Sequence, residues 1–349
     1  MTRLSRRTLI GTVAATALTA AAMTGAHAQD LPKLTVALAV MDANFNVTTG
    51  SAFRLAADMG YFERAGVDVE FVTLDGTPQA VAALRSGAVD LADISVDAAI
   101  RLRAENDVPV RGVVAVSMGS AFLIAAKSDI ETVDQLAGRS FAIADNGSLD
   151  HQLTQAVVRS YDLSPDDMNF VAIGAPDVRV HALAAGRVDA TTVSFGTYAS
   201  IAGTDGVHVL VDADTFSTRA PALSKFVAGL EPTLAEKSDA ITRFTSALID
   251  VSRDMEANPQ TWIDAAAAAR DDLSRDSIAA TAELLKTRWC VNGCMEPESL
   301  AGSIAFVYSG PDFANTPVLG VDDLTDLSFT QNALQALGTA GGDSLDARN

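Results

Sequence analysis

Between Phe141 and Val158 an apolar stretch is broken by four polar or flexible residues, Asp145-Asn146-Gly147-Ser148. Phe141 to Ala144 reads as a short strand, and behind the turn Leu149, Leu153, Ala156 and Val157 recur at helical spacing. Ser148 stands where a helix N-cap stands, with a hydroxyl able to accept a hydrogen bond from a free amide of the first turn. A glycine-bearing turn from strand to helix also points backbone amides outward, and their partial positive charge can cradle the acceptor atoms of a ligand. Taken alone, the four residues read better as a plain strand-to-helix connection. A cradle needs other polar residues to face it, so the surrounding elements decide.

Short β-type runs alternate with helical stretches from Leu34 onward, which argues for α/β architecture. Strands are expected near 34–40, 67–74, 91–94, 110–118, 122–126, 140–144, 168–173, 190–193 and 207–211, and helices over 50–65, 78–86, 148–161 and 177–185. From Pro232 the pattern turns helical, with helices expected over 233–256, 259–269, 274–288 and 298–308. One feature repeats. Ala82-Ala83-Leu84-Arg85-Ser86-Gly87-Ala88-Val89-Asp90-Leu91-Ala92 is echoed by His181-Ala182-Leu183-Ala184-Ala185-Gly186-Arg187-Val188-Asp189-Ala190-Thr191. In each, a helix ends at a glycine able to take the left-handed C′ conformation, and a turn leads through Asp into a strand. Two similar units imply two similar lobes, with a ligand's place where the carboxyl ends of their strands meet.

Residues 1–28 have a basic start (Arg3, Arg6, Arg7), an apolar middle and the small-residue exit Ala26-His27-Ala28, the pattern of a cleaved secretory signal peptide. Ser5-Arg6-Arg7-Thr8-Leu9-Ile10 resembles a twin-arginine signal, with Leu9 where Phe is common and Gly11 where Lys often sits, so the Sec route stays open. Removing three Arg and no acid from 25 basic and 44 acidic residues leaves a mature charge of −22. Such a chain is repelled by nucleic acid and anionic membrane surfaces. No later apolar run is long enough to span a bilayer. In an oxidising compartment the two cysteines, Cys290 and Cys294, read first as a disulfide across the loop Val291-Asn292-Gly293. A redox dithiol would more typically have two intervening residues, and a metal site would need a nearby His.

Residues 56–70, Ala-Ala-Asp-Met-Gly-Tyr-Phe-Glu-Arg-Ala-Gly-Val-Asp-Val-Glu, resemble a signature of the periplasmic solute-binding proteins for sulfonate, nitrate and thiamine precursors. The leucine-to-aspartate turns at 84–90 and 183–189 fit the same family, as does Ile130 to Arg139, similar to its entry into the second lobe. The likeness covers about residues 34 to 270. It implies a type II periplasmic binding protein: two α/β lobes joined by a two-stranded hinge, with a helical C-terminal tail packed on lobe one. Lobe one would comprise 31–120 and 225–335, lobe two 121–224, with 336–349 a flexible tail. The chain would cross near 117–127 and return near 220–228. The implied function is capture of a small organic solute in the periplasm and delivery to an inner-membrane ABC permease, as a monomer without a cofactor. A sensor subunit reporting to a membrane receptor would have the same fold.

On that frame the lobe-two wall of the cleft is Asn146, Gly147 and Ser148, with Ser194 and Phe195 beside it. Lobe one would contribute Asp42, Asn44 and Phe45 from the loop after its first strand, and Asp93, Ser95 and Asp97 around its third. Asp42 could pair with an amino group or be a solvated acid; Phe45 and Phe195 could stack on a planar ligand or pack. Arg54 reads as solvated, and His151 is the one histidine close to the cleft. The cleft loops hold Asp42, Asp93, Asp97 and Asp145 but no Lys or Arg, and carboxylates repel an inorganic anion such as nitrate. The set favours an amino-sulfonate, a pyrimidine or a related nitrogen heterocycle. No Gly-x-Ser-x-Gly, His-Glu-x-x-His or phosphate-loop motif occurs. The Cys-rich motif of the family's fungal thiamine-pyrimidine synthase is also missing, so an enzyme is not expected.

Overall fold

The computed structural model describes residues 31–39, 45–118, 121–221, 223 and 225–347. Asp42 and Asn44, and the expected signal peptide 1–28, lie outside the described residues.

In the first lobe the strands are β1 (Lys33–Ala39), β2 (Asp68–Leu74), β3 (Leu91–Ser95) and β4 (Val110–Val114). The helices between them are α1 (Ala52–Asp58), α2 (Tyr61–Ala65), α3 (Thr77–Ser86) and α4 (Val96–Asn106). One helix was expected over 50–65. It is two, because Gly60 takes φ +72 and turns the chain between them. The second lobe holds β5 (Phe122–Lys127), β6 (Ser140–Ile143), α5 (Leu149–Arg159), β7 (Asn169–Ala172), α6 (Pro176–Ala184), β8 (Ala190–Ser194), α7 (Phe195–Tyr198), β9 (Val207–Val211) and α8 (Ala213–Arg219). The chain then returns through β10 (Lys225–Leu230).

The sheet orders are β2-β1-β3-β10-β4 and β7-β6-β8-β5-β9. β10 runs antiparallel between β3 and β4, and β5 antiparallel between β8 and β9. Each lobe thus takes in one strand that arrives from the other. Central strands β3 and β8 are buried at every residue, whereas β2 at an edge exposes several.

The repeated motif has one job in both lobes. Asp90 accepts a bond from Thr35 N of β1 at 2.9 Å and pairs with Lys237 Nζ at 2.7 Å. Asp189 accepts from Ser140 N of β6 at 2.9 Å and pairs with Lys127 Nζ at 2.8 Å. Gly87 and Gly186, at φ +73 and +70, supply the left-handed turns before them. These aspartates latch the third parallel strand to the first, as a structural device and not a ligand site.

The tail comprises α9 (Glu231–Glu236), α10 (Ser238–Ala257), α11 (Pro259–Ala269), α12 (Arg275–Leu285), α13 (Pro297–Tyr308), α14 (Val321–Leu324) and α15 (Ser328–Leu337). α10 lies on lobe one, where Phe244 stacks on Phe62 with ring centroids 5.4 Å apart. Cys290 and Cys294 are disulfide-bonded, with Cα atoms 5.0 Å apart. The tail beyond 335, expected to be flexible, is tied to this loop. Asp346 is 6% exposed and accepts from Asn292 N at 2.6 Å and from Cys294 N at 3.1 Å. Two backbone donors left unsatisfied by the tight loop are the physical reason.

Candidate functional site

The carboxyl ends of both sheets face one another across a seam, and the lobes touch along it. A Cβ at Gly76, ahead of α3, would lie 2.8 Å from Ser148 Oγ; one at Gly196 would lie 2.3 Å from Val47 O. Gln79 Nε2 donates to Asp145 Oδ2 at 3.3 Å across the same gap.

The turn at 145–148 sits on this seam but is not an open cradle. Asn146 N donates to Asp145 Oδ1 at 2.7 Å, Gly147 N to His151 Nδ1 at 3.0 Å, and Ser148 N to Asp145 O at 3.1 Å. All three amides are engaged inside the turn, which corrects the expectation that they would point at a ligand. Ser148 is the N-cap of α5 by position, yet its hydroxyl makes no capping bond. It is fully buried and without a partner, turned toward Gly76 of the other lobe. His151 is an internal strut: its Nδ1 accepts from Gly147, its ring meets Phe170 edge-on at 4.5 Å, and burial holds the imidazole below its usual value.

The other expected residues divide. Ser95, N-cap of α4, is fully buried, and its hydroxyl lacks a hydrogen bond of good geometry. Ser194 caps α7 by accepting from Thr197 N at 3.0 Å, so its hydroxyl is already used. Phe195 packs between the lobe cores, and Phe45, 2% exposed, lies 6.3 Å from Trp262 in the lobe-one core. Phe45 is therefore packing, not a stacking platform. Arg54 pairs with Asp58 on the exposed face of α1.

Asp93 in the middle of β3 was expected without a basic neighbour. Lys225, the first residue of β10, donates to Asp93 Oδ2 at 3.0 Å and also to Ala39 O at the end of β1. The cleft does contain a lysine, which corrects the sequence reading. Burial pushes the Asp93 carboxyl up, and the Lys225 ammonium opposes it. Lobe two has a matching pair missed from sequence. Arg179 and Asp150 are both fully buried, 3.6 Å apart, and Arg179 donates to Gly174 O and Thr192 O at 2.6 and 3.2 Å. Arg179 thereby ties the turn after β7 to the middle of β8.

Three buried hydroxyls, Thr77 at the start of α3, Ser95 before α4 and Ser148 before α5, lack hydrogen bonds of good geometry. Buried polar atoms are almost always satisfied; Ser95 meets the Asp97 carboxylate and Gly76 closes over Ser148, which leaves Thr77 as the one of the three that lines a cavity. A cavity of about 200 Å³ opens there, walled by Thr77, Asp97 and Arg101 on one side and Gly147 and Gln152 on the other. Burial pushes the Asp97 carboxyl up. Among the described residues no group of three His, Cys, Asp or Glu could hold a metal ion.

Residues 48–262 match the family model described as NMT1/THI5 like. No curated protein matches the sequence. Among solved structures, the periplasmic nitrate-binding protein NrtA from Synechocystis PCC 6803 is similar at TM-score 0.70 and 12% identity, over 89% of this chain and 90% of that one. The alkanesulfonate-binding protein SsuA from Xanthomonas axonopodis pv. citri, bound to MOPS, is similar at 0.66 and 17%, over 85% and 99%. A ligand-binding component of an ABC-type import system from Staphylococcus aureus, with zinc bound, is similar at 0.65 and 16%, over 86% and 99%. The fold is that of the type II periplasmic binding proteins.

Proposed function

The chain belongs to the NMT1/THI5-like family, and from that premise we propose that it is the exported solute-binding component of an ABC importer, closing on a small organic solute and presenting it to a membrane permease. The observation that carries this reading is the seam, where the helix N-termini at Thr77 from lobe one and Ser148 from lobe two meet beside a cavity of about 200 Å³ that Thr77 lines. The solved structures of like fold support the role, since their names describe binding of nitrate, of an alkanesulfonate, or an import system. No helix among the described residues is long and apolar enough to cross a membrane. We read the protein as periplasmic and monomeric on the family resemblance and the expected export signal.

The solute we infer carries an amino or ring nitrogen. Lys225 is spent on Asp93 and Arg179 on Asp150, and Arg101, which lines the cavity beside Asp97, pairs with Glu105 at 3.6 Å; among the described residues no salt bridge reaches Asp97 or Asp145. A bare inorganic anion would meet the Asp97 and Asp145 carboxylates, neither of which has a salt-bridge partner among the described residues. The seam offers hydroxyls and acids, not a chemical nucleophile beside a base, so binding without catalysis is the reading. A thermal-shift screen across amino-sulfonates, pyrimidines, aromatic carboxylates and nitrate tests it, with calorimetry on any hit. Stabilisation by a nitrogen-bearing organic solute is expected; stabilisation by nitrate alone would overturn the solute class.

A further inference from the structure

A larger cavity, of about 340 Å³, opens on the flank of the seam between α4, α5 and the tail. Its floor is apolar, with Val96, Leu149, Leu153, Leu223 and Phe313 all buried. Two guanidinium groups, Arg159 and Arg219, stand among its lining in a chain whose acids outnumber its bases. Arg219 is exposed, donates to Ser160 O at 3.0 Å and lies over the Tyr161 ring at 4.6 Å. Arg159 donates to Gln155 Oε1 at 3.0 Å, and the Asp312 carboxylate stands 3.9 Å away, beyond hydrogen-bonding range. A guanidinium has five N–H donors, so both arginines keep capacity for a further acceptor. Two acids also line the cavity: Asp312, beside Arg159, and Asp97, which is shared with the smaller cavity where Arg101 is among the lining residues.

We infer that this cavity is a second ligand site, taking a small amphipathic organic anion whose apolar body lies on the floor and whose anionic head lies between Arg159 and Arg219. Its volume falls at the low end of the range of ligand cavities, about 300–1,000 Å³, and guanidinium suits a carboxylate or sulfonate head. The walls come from both lobes: α5 and Arg219 from lobe two, α4 and residues 306–313 from lobe one. An occupant therefore has its full set of contacts only with the lobes together. It favours the closed form, and by linkage the occupant and the central solute strengthen one another's binding by the same factor. That coupling rests on the solute-binding reading; occupancy of the cavity does not.

The test is calorimetric titration of the full exported chain with octanoate, with octylamine as the control of opposite charge. Octanoate binds and octylamine does not. Ala156→Phe, which grows a ring into the cavity from α5, abolishes the octanoate heat. Arg159→Gln combined with Arg219→Gln weakens octanoate by about tenfold or more, the loss expected when charge-assisted bonds are removed. No octanoate heat in the parent, equal heat with octylamine, or parent-like affinity in both variants overturns the site. Octanoate that binds without compacting the chain in small-angle scattering overturns the coupling and leaves the site standing.

Discussion

Ser148 and Lys225 show how differently single residues read in sequence and in space. A serine before a helical pattern reads as a cap. In the folded chain its hydroxyl is partnerless because Gly76 of the other lobe closes over it. Ser148→Ala is therefore expected to leave unfolding stability within about 0.5 kcal/mol of the parent, against about 1 kcal/mol for a true cap; chemical denaturation measures the difference, and a loss near the larger figure would mean the hydroxyl does cap. Lys225 could not be found from spacing, since it lies 132 residues from Asp93 and meets it only because β10 inserts beside β3. Lys225→Met leaves a buried carboxylate without its cation and is expected to cost about 3–5 kcal/mol. Adding Asp93→Asn should recover part of that loss, and denaturation of the single and double variants checks both.

At the scale of elements, the local devices were legible and the long-range ones were not. The paired motif at 82–92 and 181–191 could be read because its parts, a left-handed glycine and an aspartate three residues on, are close in sequence. α4, α8 and the order of the tail past 335 leave no clear local pattern, because they come from packing and from partners far away in sequence. The two kinds of acid respond to pH in opposite senses. Burial alone would raise the Asp189 carboxyl, but bonds from Lys127 and Ser140 outweigh it and bring it to about 2. Its folded value is below the unfolded one. Its contribution is present above pH ~4 and is lost as pH falls toward ~2. Asp346 runs the other way: burial raises it to about 6 against the amides of Asn292 and Cys294. The folded chain then holds the proton more tightly than the unfolded one, so this group's stabilisation falls as pH rises from ~4 to ~6. Asp189→Asn should flatten the acid limb of a thermal melt-versus-pH profile, and Asp346→Asn should remove the decline between ~4 and ~6. Profiles unchanged from the parent would show that neither group carries these slopes.

For the whole molecule the deciding quantity is the balance between lobes apart and lobes together. Gly196 probes it cleanly. The three atoms nearest a Cβ built there all belong to Val47 of the other lobe, the closest its carbonyl oxygen at 2.3 Å. Real side chains do not tolerate such an approach, and here the obstacle is backbone, which cannot swing aside. Gly196→Ala therefore penalises the closed arrangement, while a lobe-two surface moved away from Val47 has no such obstacle. Hinge closure needs only a few residues to change their backbone angles, so the two arrangements lie within reach of one another. Loss of a state by a few kcal/mol lowers its population by about a hundredfold or more, and apparent affinity falls with the competent fraction. Gly196→Ala should keep its solute-free melting temperature near that of the parent and lose most of its solute-induced thermal shift. Its scattering profile should stay extended when the parent's contracts. A variant that binds and contracts like the parent would mean that solute is held without bringing Gly196 against Val47, and the site would then have to lie within one lobe.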